Sequence, residues 1–245
     1  MTRALVSVKQ KHCYPRTFRT SFAKNSNDTI WEIANLLHSA NMLKSVTLAM
    51  QSMDEQVLVN IQRKNIKFDK FGDLIRRYEA VGIPTYTELI LGLAGESLDR
   101  FLDGIERCLE SGQHAGLFCY LNIVLDNTEQ RDPEYARIHG LRSVVMQAML
   151  THGTPDPDVI REKQEIIIET AAMPHADWKR AYLHMKAVEV FHAQGLLQET
   201  AIALHDQHGV RYRDFYGALL DWCLEHPKTV AGRETCRIRD LLDSA

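Results

Sequence analysis

Residues 83–97 read IPTYTELILGLAGES, and the reading of this stretch decides the fold. It follows a helix-stopping Gly82 and enters through Pro84. Tyr86, Glu88, Ile90 and Gly92 then alternate with Thr85, Thr87, Leu89 and Leu91. That is period two, the period of a strand. Small residues follow at Gly92, Ala94 and Gly95, and Glu96 and Ser97 open the next helix. Glu88 is the anomaly, a carboxylate in the middle of an otherwise apolar strand. Burying a charge is costly unless it is paired or bound to something. The Gly-rich turn at a helix start is itself friendly to anions. Glu88 and this turn are expected to belong to a ligand site.

Working outward, residues 17–24 (TFRTSFAK) alternate and predict a strand, with Asn25, Ser26, Asn27 and Asp28 as turn and N-cap residues. Ile30, Ile33, Ala34 and Leu37 recur at helical spacing, and residues 45–50 (SVTLAM) form a short apolar strand. Ser52 with Glu55 has the S-x-x-E spacing of a capping box, ahead of a helix through Val57, Leu58 and Ile61. Asp69 starts another, with Phe71, Leu74, Ile75 and Tyr78 on one face. Beyond the central strand, residues 97–110 carry Leu98, Phe101, Leu102, Ile105, Cys108 and Leu109, a strongly amphipathic helix stopped by Gly112. Residues 115–125 (AGLFCYLNIVL) form an apolar strand. The order β-α-β-α-α-β-α-β means crossover units and a parallel sheet. The fold class is therefore α/β, and four such strands make only half of a closed eight-stranded barrel, so either the sheet is open or part of a barrel is missing.

Residues 126–140 (DNTEQRDPEYARIHG) are polar and irregular, and Thr154, Pro155, Asp156 and Pro157 break the chain. After them only the helical period is visible. Pro174 opens a helix carrying Trp178, Ala181, Tyr182, Met185, Val188 and Phe191. Another ends at Gly209, and Phe215, Leu219, Trp222 and Cys223 mark a third, while the charged tail after Lys228 is expected to fray. The expected organisation is a partial barrel over 1–125, an irregular boundary over 126–152 and an all-helical extension over 153–245.

The chain has 245 residues, 45% of them hydrophobic and 25% charged, with a net charge of −3. This is ordinary for a soluble globular protein and leaves no bulk signature of nucleic-acid binding. No apolar run is long enough for a bilayer, and residues 1–18 lack a signal-peptide core. A cytoplasmic protein is the expectation. Cys13, Cys108, Cys119, Cys223 and Cys236 are an odd, scattered set without a CxxC pair, which argues against a disulfide framework and against a local iron–sulfur or zinc motif. His205 and His208 form H-x-x-H without an evident third ligand, so a helix-end role is the simpler reading. No residue is marked as catalytic.

Three elements together carry a family resemblance. They are LAMQS at 48–52 with Gln51 at the strand end, Arg63 within IQRKN, and TELILGLAGES with Glu88 and Gly92. They resemble the later strands of radical S-adenosylmethionine enzymes, in the group that includes oxygen-independent coproporphyrinogen dehydrogenase. The segments YPRTFRTSFAKNSND, NTEQRDPEYARIHG and HGVRYRDFYGALLDW look more specifically like members that join a cobalamin-binding domain to a radical core. The resemblance implies that Gln51, Arg63, Glu88 and Gly92 help to hold S-adenosylmethionine. It also implies a [4Fe-4S] cluster and cobalamin in full-length members. The departures are equally plain. The C-x-x-x-C-x-x-C motif and the Gly-rich second-strand motif are absent, and Ala94 stands where the family has Pro. The chain looks like the back half of such an enzyme, so neither cluster nor cobalamin is expected on it alone, and a partner encoded upstream would supply the first half.

Each candidate also has a plainer reading. Gln51 fits a turn glutamine bonded to backbone, Arg63 a solvated helix-end arginine, and Glu88 a structural ion pair with Arg63. Trp178, Tyr182, Phe215 and Trp222 fit core aromatics. Two functions follow: part of a radical S-adenosylmethionine enzyme, inactive by itself, or a non-catalytic truncated protein or binding module that kept the sheet. A half barrel would leave an open inner face, with exposed apolar surface at Ile90 and along 117–121.

Overall fold

The computed structural model describes residues 1–18, 20, 28–66, 68–147 and 162–244. Most of the strand expected at 17–24, the turn residues Asn25, Ser26 and Asn27, and the break at Thr154–Pro157 lie outside them. The chain opens with α1 (Thr2–His12) and α2 (Asp28–Ser39). Then come β1 (Val46–Gln51), α3 (Glu55–Asn60), α4 (Phe68–Glu79), β2 (Thr85–Leu91), α5 (Leu98–Glu110) and β3 (Leu117–Leu121). The strands lie in the order β1-β2-β3, every pair parallel, as alternation with crossover helices demands.

The sheet has two unlike faces. Val46, Leu48, Met50, Leu89, Leu91, Leu117 and Cys119 are buried in one core with Phe71, Ile75 and Tyr78 of α4 and Phe101, Ile105 and Cys108 of α5. The other face carries Thr47 and Ala49, then Tyr86, Glu88 and Ile90, then Phe118 and Tyr120; the burial alternates residue by residue. Phe118 is 40% exposed and Tyr120 50%.

One cap differs from expectation. Ser52 does not cap α3. Asp54 does, its carboxylate accepting from the Val57 N–H at 3.0 Å. Ser52 instead reaches across to Glu96. At α5 the expected Ser97 cap is present, accepting from the Arg100 N–H.

The second half departs from an irregular boundary followed by helices. Residues 126–140 hold a 3-10 turn (Glu129–Arg131) and α6 (Pro133–His139). Asp132 caps α6, Pro133 occupies its first turn, and Gly140 closes it at φ 57°, a full set of helix start and stop signals. Next come β4 (Arg142–Gln147) and β5 (Lys163–Glu169), an antiparallel pair. The region after 153 is therefore not all-helical. β5 also bonds back to the end of β3, through Ile167 N–H to Asn122 O and Val124 N–H to Glu165 O, both 2.9 Å.

The remaining helices are α7 (His175–Ala187) running into a π-helical segment (Val188–Ala193), α8 (Gln198–His208), α9 (Tyr212–Glu225) and α10 (Val230–Asp243). The charged tail does not fray. α10 is capped by Thr229 and packs against α9 and α7. Glu106 of α5 is buried, and its carboxylate accepts the Tyr212 and Arg213 N–H groups at 3.1 and 2.7 Å. It thus satisfies the orphan amides that begin α9. Burial raises the Glu106 pKa while these bonds lower it.

Candidate functional site

The candidate site is built where β1 and β2 end. Ala49 pairs with Glu88, and Glu88 with Phe118. Period two therefore puts Glu88 on the open face between its neighbours' side chains, away from α4 and α5. Tyr86 meets Phe118 edge-on, ring centroids 5.9 Å apart. Tyr120 has its pKa raised by burial, and then by the charge of Glu88. Open apolar and polar groups thus share one surface.

Gln51 ends β1 on the strand next to Glu88, after a register shift between Ala49 and Gln51. Arg63 follows α3. Its Nη2 donates to the Ala49 carbonyl at 2.7 Å and its Nε to Asn65 Oδ1 at 2.8 Å. Burial lowers the Arg63 pKa, and the Glu88 carboxylate offsets part of that. Gln51, Arg63 and Glu88 are therefore neighbours. Gly92 differs. It is buried, with φ +94°, and a Cβ there would stand 3.2 Å from the Ile167 carbonyl and 3.4 Å from Trp178 Nε1. Its carbonyl accepts from Asn122 Nδ2 at 2.8 Å. Close approach of β5 and α7 is the structural reason for a glycine at this position.

The larger cavity here, about 630 Å³, is bordered by Met50, Ser52, Arg63, Asn65, Phe68 and Arg107 among others. Of the candidates only Arg63 reaches it. A second, of about 450 Å³, meets the start of the open face at Thr47 and Tyr86.

Sequence reasoning passed over Glu96. It is 2% exposed and accepts from the Ser52 hydroxyl at 2.5 Å, and its Oε2 has no hydrogen-bond partner among the described residues. Burial raises its pKa to about 8; Ser52 and Arg100 lower it and Asp54 raises it. The acid is thus mostly protonated near neutrality. An acid at a helix start reads as an ordinary first-turn residue, so its burial left no signal. Asn65 and Glu189 were missed too. Glu189, in the π-helical segment, accepts the Cys119 N–H of β3 at 2.9 Å and pairs with Lys186 at 2.6 Å.

The histidines form a separate group. His192 contacts Tyr216 Oη at 2.7 Å and His114 at 3.1 Å. His205 contacts the Val210 carbonyl at 3.1 Å and stacks on Tyr212, a helix-end role. Trp178 is buried core, stacked on a partly buried Tyr182, whereas Trp222 is largely exposed and stacks on His226.

The three-stranded parallel sheet with its crossover helices defines an α/β protein. No family model matches the chain. It is 39% identical over 242 residues to the cobalamin-dependent radical SAM methyltransferase TokK of Streptomyces tokunonensis. It is 36% identical over 242 residues to the 2-(S-pantetheinyl)-carbapenam-3-carboxylate methyltransferase of Streptantibioticus cattleyicolor. Both alignments take in 98% of this chain and 35% of the relative. The chain thus spans about a third of the length of the curated relatives it matches. In fold it resembles the radical S-adenosylmethionine methyltransferase TsrM from Kitasatospora setae, solved with tryptophan substrate and a SAM analog. The TM-score is 0.51 at 16% identity, over 76% of this chain and 39% of that one. Over nearly its whole length the chain is thus similar to one part of these cobalamin-dependent radical S-adenosylmethionine methyltransferases.

Proposed function

We propose that this chain supplies one side of the S-adenosylmethionine pocket of a cobalamin-dependent radical methyltransferase. In this reading β1, β2 and β3 are successive strands of a barrel whose inner surface is the open face. The observation that carries it is the position of Glu88, an acidic side chain on the face turned away from α4 and α5, beside Gln51 and Arg63. Glu88 and the Gln51 amide would take hydroxyl or ammonium donors, Arg63 a carboxylate, and Gly92 would keep the turn compact. When bound, S-adenosylmethionine supplies the methyl or radical chemistry.

The residues present do not fit a [4Fe-4S] cluster. Among the described residues no three His, Cys, Asp or Glu side chains gather as metal ligands. Cys108 and Cys119 are buried, which pushes their thiols far up, away from the thiolate a cluster requires. Cluster and cobalamin would come from polypeptide matching the part of the relatives that this chain does not span. The same polypeptide would cover Phe118 and Tyr120. No helix among the described residues is long and apolar enough to cross a membrane, and a cytoplasmic setting agrees with the free cysteines.

Titration calorimetry with S-adenosylmethionine tests the pocket. Glu88→Gln is expected to weaken binding by about tenfold, the worth of a charge-assisted hydrogen bond. Equal affinity would refute the pocket and leave a sheet that serves as a binding module. Anaerobic reconstitution with iron and sulfide is expected to give this chain neither a stable cluster nor 5′-deoxyadenosine.

A further inference from the structure

The end of β1 does not continue as a strand. Gln51 has φ +60°, and the Ser52 N–H turns back onto the Met50 carbonyl at 2.7 Å. A hydrogen bond across one left-handed residue makes a γ-turn of the rare, strained kind. A side chain with a Cβ disfavours that conformation, which persists only when the surroundings over-determine it.

Here the surroundings are specific. Asn65 Nδ2 donates to the Met50 carbonyl at 2.5 Å and to the Ser52 carbonyl at 3.0 Å, the two that flank Gln51. The direction of the amide is fixed independently. Arg63 Nε is a donor only, and it sits 2.8 Å from Asn65 Oδ1, so the nitrogen must face the carbonyls. Arg63 Nη2 takes the Ala49 carbonyl just upstream, and Ser52 is anchored to Glu96 downstream.

We propose that Asn65 is a positioning residue, whose amide, aimed by Arg63, clamps the carbonyls on either side of Gln51 and holds it in the γ-turn at the mouth of the sheet. The relevance to binding rests on the reading of Gln51 as part of the S-adenosylmethionine pocket; the clamp itself does not. Asn65→Asp is the sharp test, because it keeps the shape and points an acceptor at two acceptors.

In the isotope-labelled chain, the Gln51 Cα and Cβ shifts should show left-handed backbone in wild type and lose that signature in Asn65→Asp. An unchanged Gln51 signature overturns the proposal. Should Asn65→Asp fail to fold, the double variant Gln51→Gly/Asn65→Asp is expected to fold, since glycine holds a positive φ unaided. Failure of the double variant as well means that Asn65 supports the fold generally, and overturns the clamp. In S-adenosylmethionine binding, Gln51→Ala and Asn65→Asp should each cost a similar factor and together cost no more than either. Factors that multiply would mean that Asn65 acts independently of Gln51, against the proposal. Lost left-handed shifts without any effect of Gln51→Ala on affinity would leave the clamp supported and the pocket reading refuted.

Discussion

The two faces of the β1-β2-β3 sheet are made by the same strands and have opposite fates. Toward α4 and α5 the inward residues are apolar, apart from Thr85 and Thr87, which bond to Gln113, and they are covered by the chain's own helices. Toward the other side stand Tyr86, Glu88, Phe118 and Tyr120, half-buried or exposed. The first face explains why the chain folds. The second sets a carboxylate, Glu88, among aromatic rings and within electrostatic reach of Arg63. A strand's alternation therefore encodes two separate jobs, and substitutions should separate them.

The largest effect is expected on the covered face. Phe101→Ala removes a fully buried ring and should cost about 3–5 kcal/mol in denaturant unfolding. Phe118→Ala on the open face should cost less than about 1 kcal/mol. Equal costs would mean that both faces are packed, and would end the comparison. Next comes Gly92→Ala, where positive φ and the Ile167 carbonyl oppose a Cβ; a loss of about 1–3 kcal/mol is expected. A stable variant that loses only ligand affinity would move Gly92 from packing to binding.

A pH profile of stability sharpens the picture further. Glu96 has a folded pKa of about 8, above its unfolded value of about 4.3. Its contribution is complete below the unfolded value and fades as pH rises toward the folded one. His184 and His192 are lowered to about 4 by burial, from about 6.5 when unfolded. Their contribution is present above the unfolded value and is lost as pH falls toward the folded one. Each group bends the curve by up to about 1.4 kcal/mol per pH unit. Acid loss through the histidines and alkaline loss through Glu96 place the stability maximum between the two limbs. Glu96→Gln should flatten the alkaline limb and steepen the acid one, where Glu96 opposes the histidines. A variant that keeps the alkaline limb would assign it to another group. A similarly small effect is expected for Thr229→Ala at α10, about 1 kcal/mol for a lost cap.

Much of this was legible in the sequence where one period ruled. Residues 83–97 and the amphipathic run of α5 announced the strand, the crossover and the face that carries Glu88. The period failed for β4, whose residues are exposed or half-buried on both faces and so show no alternation. α6 was missed for a different reason. Asp132, Pro133 and Gly140 were there to be read as start and stop signals, but the polarity between them masked the helix. Ser52 was given to the wrong partner because a capping box is local, whereas Glu96 lies 44 residues away. Asn65 is invisible for the same reason, since its work is done on carbonyls 15 and 13 residues upstream. Contacts between side chains and distant backbone have no period.

The carboxylate of Glu106 has a consequence for how the chain comes apart. It belongs to α5, yet the amides it holds are the first of α9, and Arg213 reaches back to Asp99 and Asp103 of the same helix. The start of α9 cannot open while α5 stays folded without stranding a buried acid. In hydrogen exchange, the Tyr212 and Arg213 amides should therefore keep time with the middle of α5, more than a hundred residues earlier, rather than with the helix they begin.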